Sequence, residues 1–320
     1  MSGGRARRRG QTSGERAPRS DPTADARPRR LAALRPGPPR WAPEPPADLP
    51  DGRLVNVPDL GELFLRDSGE GHPPVLLLHG WMFPSDLNWF RVYGPLIEAG
   101  YRVLATDHRG HGRGLRTHEP FTLAACAADA AALVRALDCG PVIAVGYSMG
   151  GPVTQLIARN HPDVLAGMVL CATSAAWRTP RMRLLWREMG VLRVALNVFP
   201  LASWRRALRA AGFPDSPTTS WVAAELSRGN AKDLADAGRE LGRFDSRDWI
   251  RSVEVPAAVV VTTRDTAVPP QYQRWLAQAL DAPIFESNGD HAAVVAARDF
   301  PRVLERAIDA VRQRDRVAGR

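Results

Sequence analysis

Short apolar runs recur along this 320-residue chain, and each stops at a turn that carries a chemically able side chain. Val75-Leu76-Leu77-Leu78 ends at His79-Gly80-Trp81, and Val103-Leu104-Ala105-Thr106 ends at Asp107-His108-Arg109-Gly110-His111-Gly112-Arg113-Gly114. Val142-Ile143-Ala144-Val145 ends at Gly146-Tyr147-Ser148-Met149-Gly150. Farther on, Ala257-Ala258-Val259-Val260-Val261 stops short of Asp265, and Ile284-Phe285-Glu286-Ser287 stops short of Asn288-Gly289-Asp290-His291. Apolar runs without polar alternation are strands covered on both faces. The pattern predicts strands near 75–78, 102–106, 142–146, 168–172, 257–262 and 283–286. Helical segments are expected near 86–99, 121–137 and 149–160, with a closing helix over about 300–313. Strands alternating with helices build a mostly parallel central sheet flanked by helices, an α/β fold. A hairpin, Arg53–Val57 and Leu60–Leu65 around Pro58-Asp59, leads into it. In an open parallel sheet, ligands collect at the carboxyl ends of the strands, where all these turns lie.

The turn after the third of these runs, Gly146-Tyr147-Ser148-Met149-Gly150, reads G-x-S-x-G. A serine hydroxyl is a poor nucleophile unless it is held in the open beside a base and beside donors for a developing oxyanion. A strand turning sharply into a helix does this, and Gly146 and Gly150 remove side chains that would clash in so tight a turn. Alone the pattern is unspecific, and Ser148 could equally be a helix N-cap. What weighs for catalysis is the order Ser148, Asp265, His291, each just past a strand end. His291 is then the base that takes the serine proton and returns it to the leaving group. Asp265 fixes the imidazole tautomer and stabilises the imidazolium. Asp290 is the rival acid, but an immediate neighbour of His291 points elsewhere.

At these residues the chain resembles the α/β-hydrolases. The His-Gly turn, the Asp-x-Arg-Gly-His-Gly loop, the serine turn and the Asp and His loops stand in that family's order, from about Arg53 to Val311 with a divergent middle. The resemblance implies an oxyanion hole from the backbone N–H groups of Trp81 and Met149. It also implies that His79 and His111 brace loops, and that a helical cap is inserted after the sixth strand. One departure is the segment after His291, Ala-Ala-Val-Val-Ala-Ala-Arg-Asp-Phe, which lacks the usual acidic helix residues.

Composition divides the chain. Residues 1–50 hold eleven arginines against five acids, together with ten prolines, and their longest apolar run is Leu31-Ala32-Ala33-Leu34. Such a stretch cannot bury enough surface to offset ordering, so a disordered Arg/Pro-rich tail is expected over 1–50. No apolar core of export-signal length follows its basic residues, and no later run approaches a membrane span, so the expected location is cytoplasmic. The hydrolase core is assigned to 51–175 and 251–315. Between them, 176–250 loses the strand signal and reads as a helical cap. It carries thirteen basic and eight acidic residues and five of the nine tryptophans, Trp177, Trp186, Trp204, Trp221 and Trp249. Most of these tryptophans would glue the cap down, with one or two lining the pocket. The arginine-bearing run from Arg181 to Arg209 could serve an anionic head group or an anionic surface, as could the tail, or be a solvated face only.

With the charge concentrated in tail and cap, the formal +9 does not mark the core as a nucleic-acid binder. Gly110–Gly114 lacks the lysine and spacing of a phosphate loop. No His/Asp/Glu set has metal-ligand spacing, and Cys126, Cys139 and Cys171 read as reduced structural thiols, so neither metal nor cofactor is expected. The expected activity is hydrolysis of a carboxylic ester, or a related acyl bond of a small molecule, through an acyl-serine intermediate. Alternatives are a cofactor-free haloperoxidase or perhydrolase, a carbon–carbon bond hydrolase, and a non-catalytic binding protein on the same fold. Serine at the turn, where a carboxylate would be needed, argues against epoxide hydrolysis and dehalogenation.

Overall fold

Eight strands form one sheet in the order β1-β2-β4-β3-β5-β6-β7-β8. The computed structural model describes residues 42–177 and 200–317, with 194, 197 and 198 besides. The antiparallel hairpin of β1 (Gly52–Val57) and β2 (Gly61–Asp67) forms one edge and pairs antiparallel with β4 (Arg102–Thr106). The remaining pairs, among β3 (Pro74–Leu78), β4, β5 (Val142–Tyr147), β6 (Leu165–Cys171), β7 (Ala257–Thr262) and β8 (Ile284–Ser287), are all parallel. The hairpin turns at Asp59, whose φ is 62°.

The unbroken apolar runs are explained by two cores, one on each face. Leu76, Leu78, Ala144, Val259 and Val261 enter one cluster, and their neighbours Val75, Leu77, Ile143, Val145, Ala258 and Val260 enter the other. Alternation thus persists in space although both alternating sets are apolar. Each such Leu, Ile or Val contributes roughly 1.5–3 kcal/mol by leaving water. The first core is covered by α3 (Leu123–Leu137), α4 (Gly150–Asn160) and α8 (Pro270–Ala279), through residues such as Ala127, Val153 and Leu276. The second is covered by α1 (Ser85–Trp89), α2 (Tyr93–Glu98) and α9 (Phe300–Val317), through Trp89, Leu96 and Leu304. Thr122 caps α3 by accepting from Ala125 N.

Two expectations shift. The single helix predicted over 86–99 is two short ones, because Pro95 lacks the N–H that a continuous helix needs and its ring would collide with the carbonyl four residues earlier. Residues 44–50, grouped by composition with the tail, lie against the body: Glu44 N donates to Pro217 O, Arg66 Nη1 donates to Pro50 O, and Leu49 packs on the second core.

Between β6 and β7 the described residues include the helices α5 (Pro200–Ala210), α6 (Pro217–Leu226) and α7 (Ala231–Arg243). Pro217 opens its helix, where a missing N–H costs nothing. A bridge between Ala176 and Asp245 closes the base of the insertion. Leu184, Leu185, Trp186, Val191, Leu192, Leu196, Phe199 and the arginines from Arg181 to Arg193 lie outside the described residues. Arg209, Arg228, Arg239, Arg243 and Arg247 are each paired with an acid of the insertion.

Candidate active site

Parallel strands carry their carboxyl ends to one edge, and there the turns after β3, β4, β5, β7 and β8 meet. β5 ends one residue before Ser148, whose φ is 52°, and α4 starts two residues after it. Ser148 N donates to Cys171 O at the end of β6, and Thr173 Oγ1 donates to Ser148 O. The backbone is thereby held in a region that costs a non-glycine residue about 1–3 kcal/mol. Both flanking glycines are obligatory. A side-chain carbon on Gly146 would overlap Gly150 O and Thr154 Oγ1, and one on Gly150 would overlap Leu78 O.

Ser148 Oγ lies 2.9 Å from His291 Nε2, and His291 Nδ1 lies 2.7 Å from Asp265 Oδ2. The three residues singled out in the sequence are thus brought together in one hydrogen-bonded line. Asp265 is anchored on every side: Thr262 Oγ1 donates to Oδ2 at 2.9 Å, and Ala267 N and Val268 N donate to Oδ1 at 2.8 Å. Its side chain is fully buried, whereas the imidazole is one-third exposed toward the cavity. Asp290 is exposed and accepts from Ala292 N, so it takes no part in orienting the ring. Tyr147 OH donates to the carbonyl of His291 and ties the histidine loop to the serine strand.

Three buried histidines underlie the His79-Gly80 turn. His79 Nε2 accepts from His108 N at 2.9 Å, which leaves Nδ1 as the protonated nitrogen, donating to Gly80 O at 2.8 Å. Burial, reinforced by the neighbouring His111, holds His79 well below the usual imidazole range. Burial lowers His108 in the same way and takes His111 down to about 4. Asp107 pins the adjoining loops by accepting from Ser85 N and Arg113 N, and Arg109 makes a buried two-point bond to Asp129. Among the described residues no group of histidines, cysteines and carboxylates could hold a metal ion. Cys126 and Cys171 are buried, and burial pushes both thiols far up.

Ser148 and His291 open on a cavity of about 210 Å³ lined by Trp81, Phe83, Leu87, Asn88, Tyr147, Val294 and Val295 among others. Two of these, Val294 and Val295, belong to the apolar segment that departs from the family's acidic pattern. None of the insertion's described tryptophans is on this wall. Trp221 packs with Leu87 and Leu226 and Trp177 joins the first core, whereas Trp186 lies outside the described residues. The insertion nonetheless touches the site's loops: Leu234 O accepts from Trp81 Nε1 at 2.7 Å, and Glu225 pairs with Arg113 at 2.7 Å.

The supporting residues Thr262, Thr173, Tyr147 and Asn88 were not singled out in the sequence. Thr262 and Tyr147 each lie within three residues of a recognised one, which is a usable signal; Asn88, on a helix, gives none.

The sequence matches the family described as alpha/beta hydrolase fold over residues 73–295. It is 30% identical to the pimeloyl-(acyl-carrier protein) methyl ester esterase of Chromobacterium violaceum, over 76% of this chain and 96% of that protein. It is 39% identical to a non-heme haloperoxidase of Rhodococcus erythropolis over 37% of this chain, a match that spans 42% of that relative's length. A hydrolase from Pseudomonas aeruginosa PA01 shares the fold at a TM-score of 0.67 and 24% identity, over 82% of this chain and 98% of that one. The serine turn, the histidine and aspartate loops and the strands β3 to β8 all fall within the matched stretch, and the chain belongs to the α/β-hydrolase fold family.

Proposed function

We propose that the protein is a serine hydrolase that cleaves a small carboxylic ester through an acyl-serine intermediate. The observation that carries this reading is the hydrogen-bonded line Ser148–His291–Asp265 opening on an apolar cavity. His291 Nε2 removes the Ser148 proton as Oγ attacks the acyl carbon, and Asp265 holds the ring with its Nδ1–H directed away from the serine. The oxyanion that forms is met by the N–H groups of Trp81 and Met149. Met149 stands at the head of α4, where N–H groups have no partner within the helix. The bond between Gly80 O and His79 turns the 80–81 peptide so that its N–H faces the opposite way. Collapse expels the alcohol with the proton from His291. Water then attacks the acyl-serine with the same base, releasing the acid. The insertion over 176–250 acts as the cap, closing the site through Leu234 and Glu225.

Relatives that include a haloperoxidase favour one second reading, in which hydrogen peroxide replaces water on the acyl-serine. The products are then a peracid and free enzyme, and the peracid oxidises halide to hypohalous acid as it returns to the carboxylic acid. p-Nitrophenyl esters of graded chain length test the first reading. Peracid yield when hydrogen peroxide is added to the same assay separates the second. Release of p-nitrophenol without peracid supports plain ester hydrolysis.

A further inference from the structure

Behind Asp265 the hydrogen bonds run on through two more side chains. Thr262 ends β7 and Gln273 stands on α8, and both are fully buried. Thr262 N donates to Gln273 Oε1 at 3.0 Å, and Gln273 Nε2 donates to Val268 O at 2.7 Å. A backbone N–H only donates and a carbonyl only accepts, so these two contacts settle which end of the carboxamide is oxygen. The second hydrogen on Nε2 goes to Thr262 Oγ1, 2.9 Å away. With a donor already facing it, Thr262 Oγ1 directs its own hydrogen to Asp265 Oδ2 at 2.9 Å. Oδ2 also accepts from His291 Nδ1, while Oδ1 accepts from Ala267 N and Val268 N. Donors thus fill all four lone-pair positions of the carboxylate. Burying an amide and a hydroxyl is costly unless their bonds are made, and a buried network that makes them all is rigid.

We infer that Gln273, acting through Thr262, is a positioning residue for the His291–Asp265 pair: it sets the direction of the Thr262 hydroxyl, and with it the charge that Asp265 presents to the ring. The inference rests on the acyl-serine reading above, in which His291 takes up a proton and returns it. A threonine hydroxyl is a rotor, and the Gln273 donor leaves it one way to point. The same donor polarises the O–H and so strengthens its bond to Asp265. That bond draws negative charge from Oδ2, and its loss leaves more charge facing the imidazole. The charged form of the ring is then favoured over the neutral one. Neutral His291 is the form that takes the serine proton, so the acid limb of the kcat/KM profile moves to higher pH when either link is cut. Tyr147, whose ring centroid lies 5.9 Å from that of His291, and the ionisable neighbours Asp290 and Arg264 stay unchanged in the variants below.

The test reads the midpoint of the acid limb of kcat/KM on p-nitrophenyl butanoate. In parallel, NMR follows the His291 ring protons over the same pH range without substrate, assigned by their absence from His291→Ala. Thr262→Val keeps the shape of the side chain and both backbone bonds of Gln273. It should move both midpoints up by about half a unit to one unit. Thr262→Ser retains the hydroxyl and should keep the wild-type midpoint. Gln273→Met should move the midpoint up by less, and adding it to Thr262→Val should move it no further, because it acts through the hydroxyl. Thr262→Val decides alone if Gln273→Met does not fold. A midpoint unmoved in Thr262→Val, or shifts that add in the double variant, overturns the inference, and ester turnover then leaves the acyl-serine reading standing. The expected NMR shifts in a protein that turns over no p-nitrophenyl ester support the positioning role and count against the acyl-serine reading instead.

Discussion

Ser148 is held at a φ of 52° by its neighbours' hydrogen bonds, and the same bonds aim its hydroxyl at His291. Replacing it with alanine removes the atom that would carry the acyl group and little else. The Ser148→Ala protein should therefore melt at nearly the wild-type temperature while ester turnover drops by several orders of magnitude, measured with p-nitrophenyl butanoate. Asp265→Asn preserves shape but reverses the donor–acceptor sense toward Nδ1, favouring the wrong tautomer. A loss on the order of ten-thousandfold in kcat is expected. Asp290→Asn, which changes an exposed group bonded only to its own loop, should leave kcat within about threefold of wild type. Ser148, Asp265 and His291 were legible because a chain-order pattern marks them. Thr173 and Asn88 were not, because their roles depend on which strand end they meet in space.

The turn from β5 into α4 works because backbone replaces side chain at two points. Gly150 packs against the carbonyl of Leu78 on the neighbouring strand, so Gly150→Ala forces backbone apart and leaves no rotamer as a remedy. That variant should lose several degrees in melting temperature and most of its activity, since the displaced strand end carries the His79-Gly80 turn. Circular dichroism melts and ester assays read both effects. The strands were legible to within a few residues, since unbroken apolar runs leave few alternatives. The 86–99 segment was misjudged as continuous because helical periodicity survives across Pro95 even though the hydrogen-bond ladder does not. Trp221 pairs edge-on with Phe90 and serves packing, and the apolar lining of the described cavity includes Trp81, Phe83, Leu87, Val294 and Val295.

For the molecule as a whole, the three buried histidines set an acid limit. In the unfolded chain each imidazole takes up a proton near its ordinary value of about 6.5. Folded, His79 and His108 resist protonation, and His111 does so down to about 4. The unfolded state thus binds more protons below about pH 6.5, and stability falls as the pH drops from there toward 4. Asp67 adds a second loss farther down. Burial alone would raise its carboxyl, but the bonds from Arg102, Gly69 N and Arg53 outweigh it and hold it at about 2. Melting temperatures should be several degrees lower at pH 5 than at pH 7.5, and His111→Leu should flatten part of that slope. An unchanged slope in the variant would move the acid sensitivity elsewhere. At the amino end, removal of residues 1–41 should leave melting unchanged, whereas removal of 1–50 should lower it, because Leu49 and Pro50 contact the body. Composition placed that boundary late because proline-rich sequence reads alike whether or not it lies on a surface.

The central claim, an acyl group carried on Ser148, is tested most directly by intact-protein mass spectrometry after rapid acid quench of a reaction with p-nitrophenyl butanoate. The account predicts one added butanoyl mass per chain, mapped by peptide digestion to the segment that contains Ser148 and absent from Ser148→Ala. Ester turnover with no adduct at Ser148, or an adduct of equal yield in the alanine variant, would contradict it.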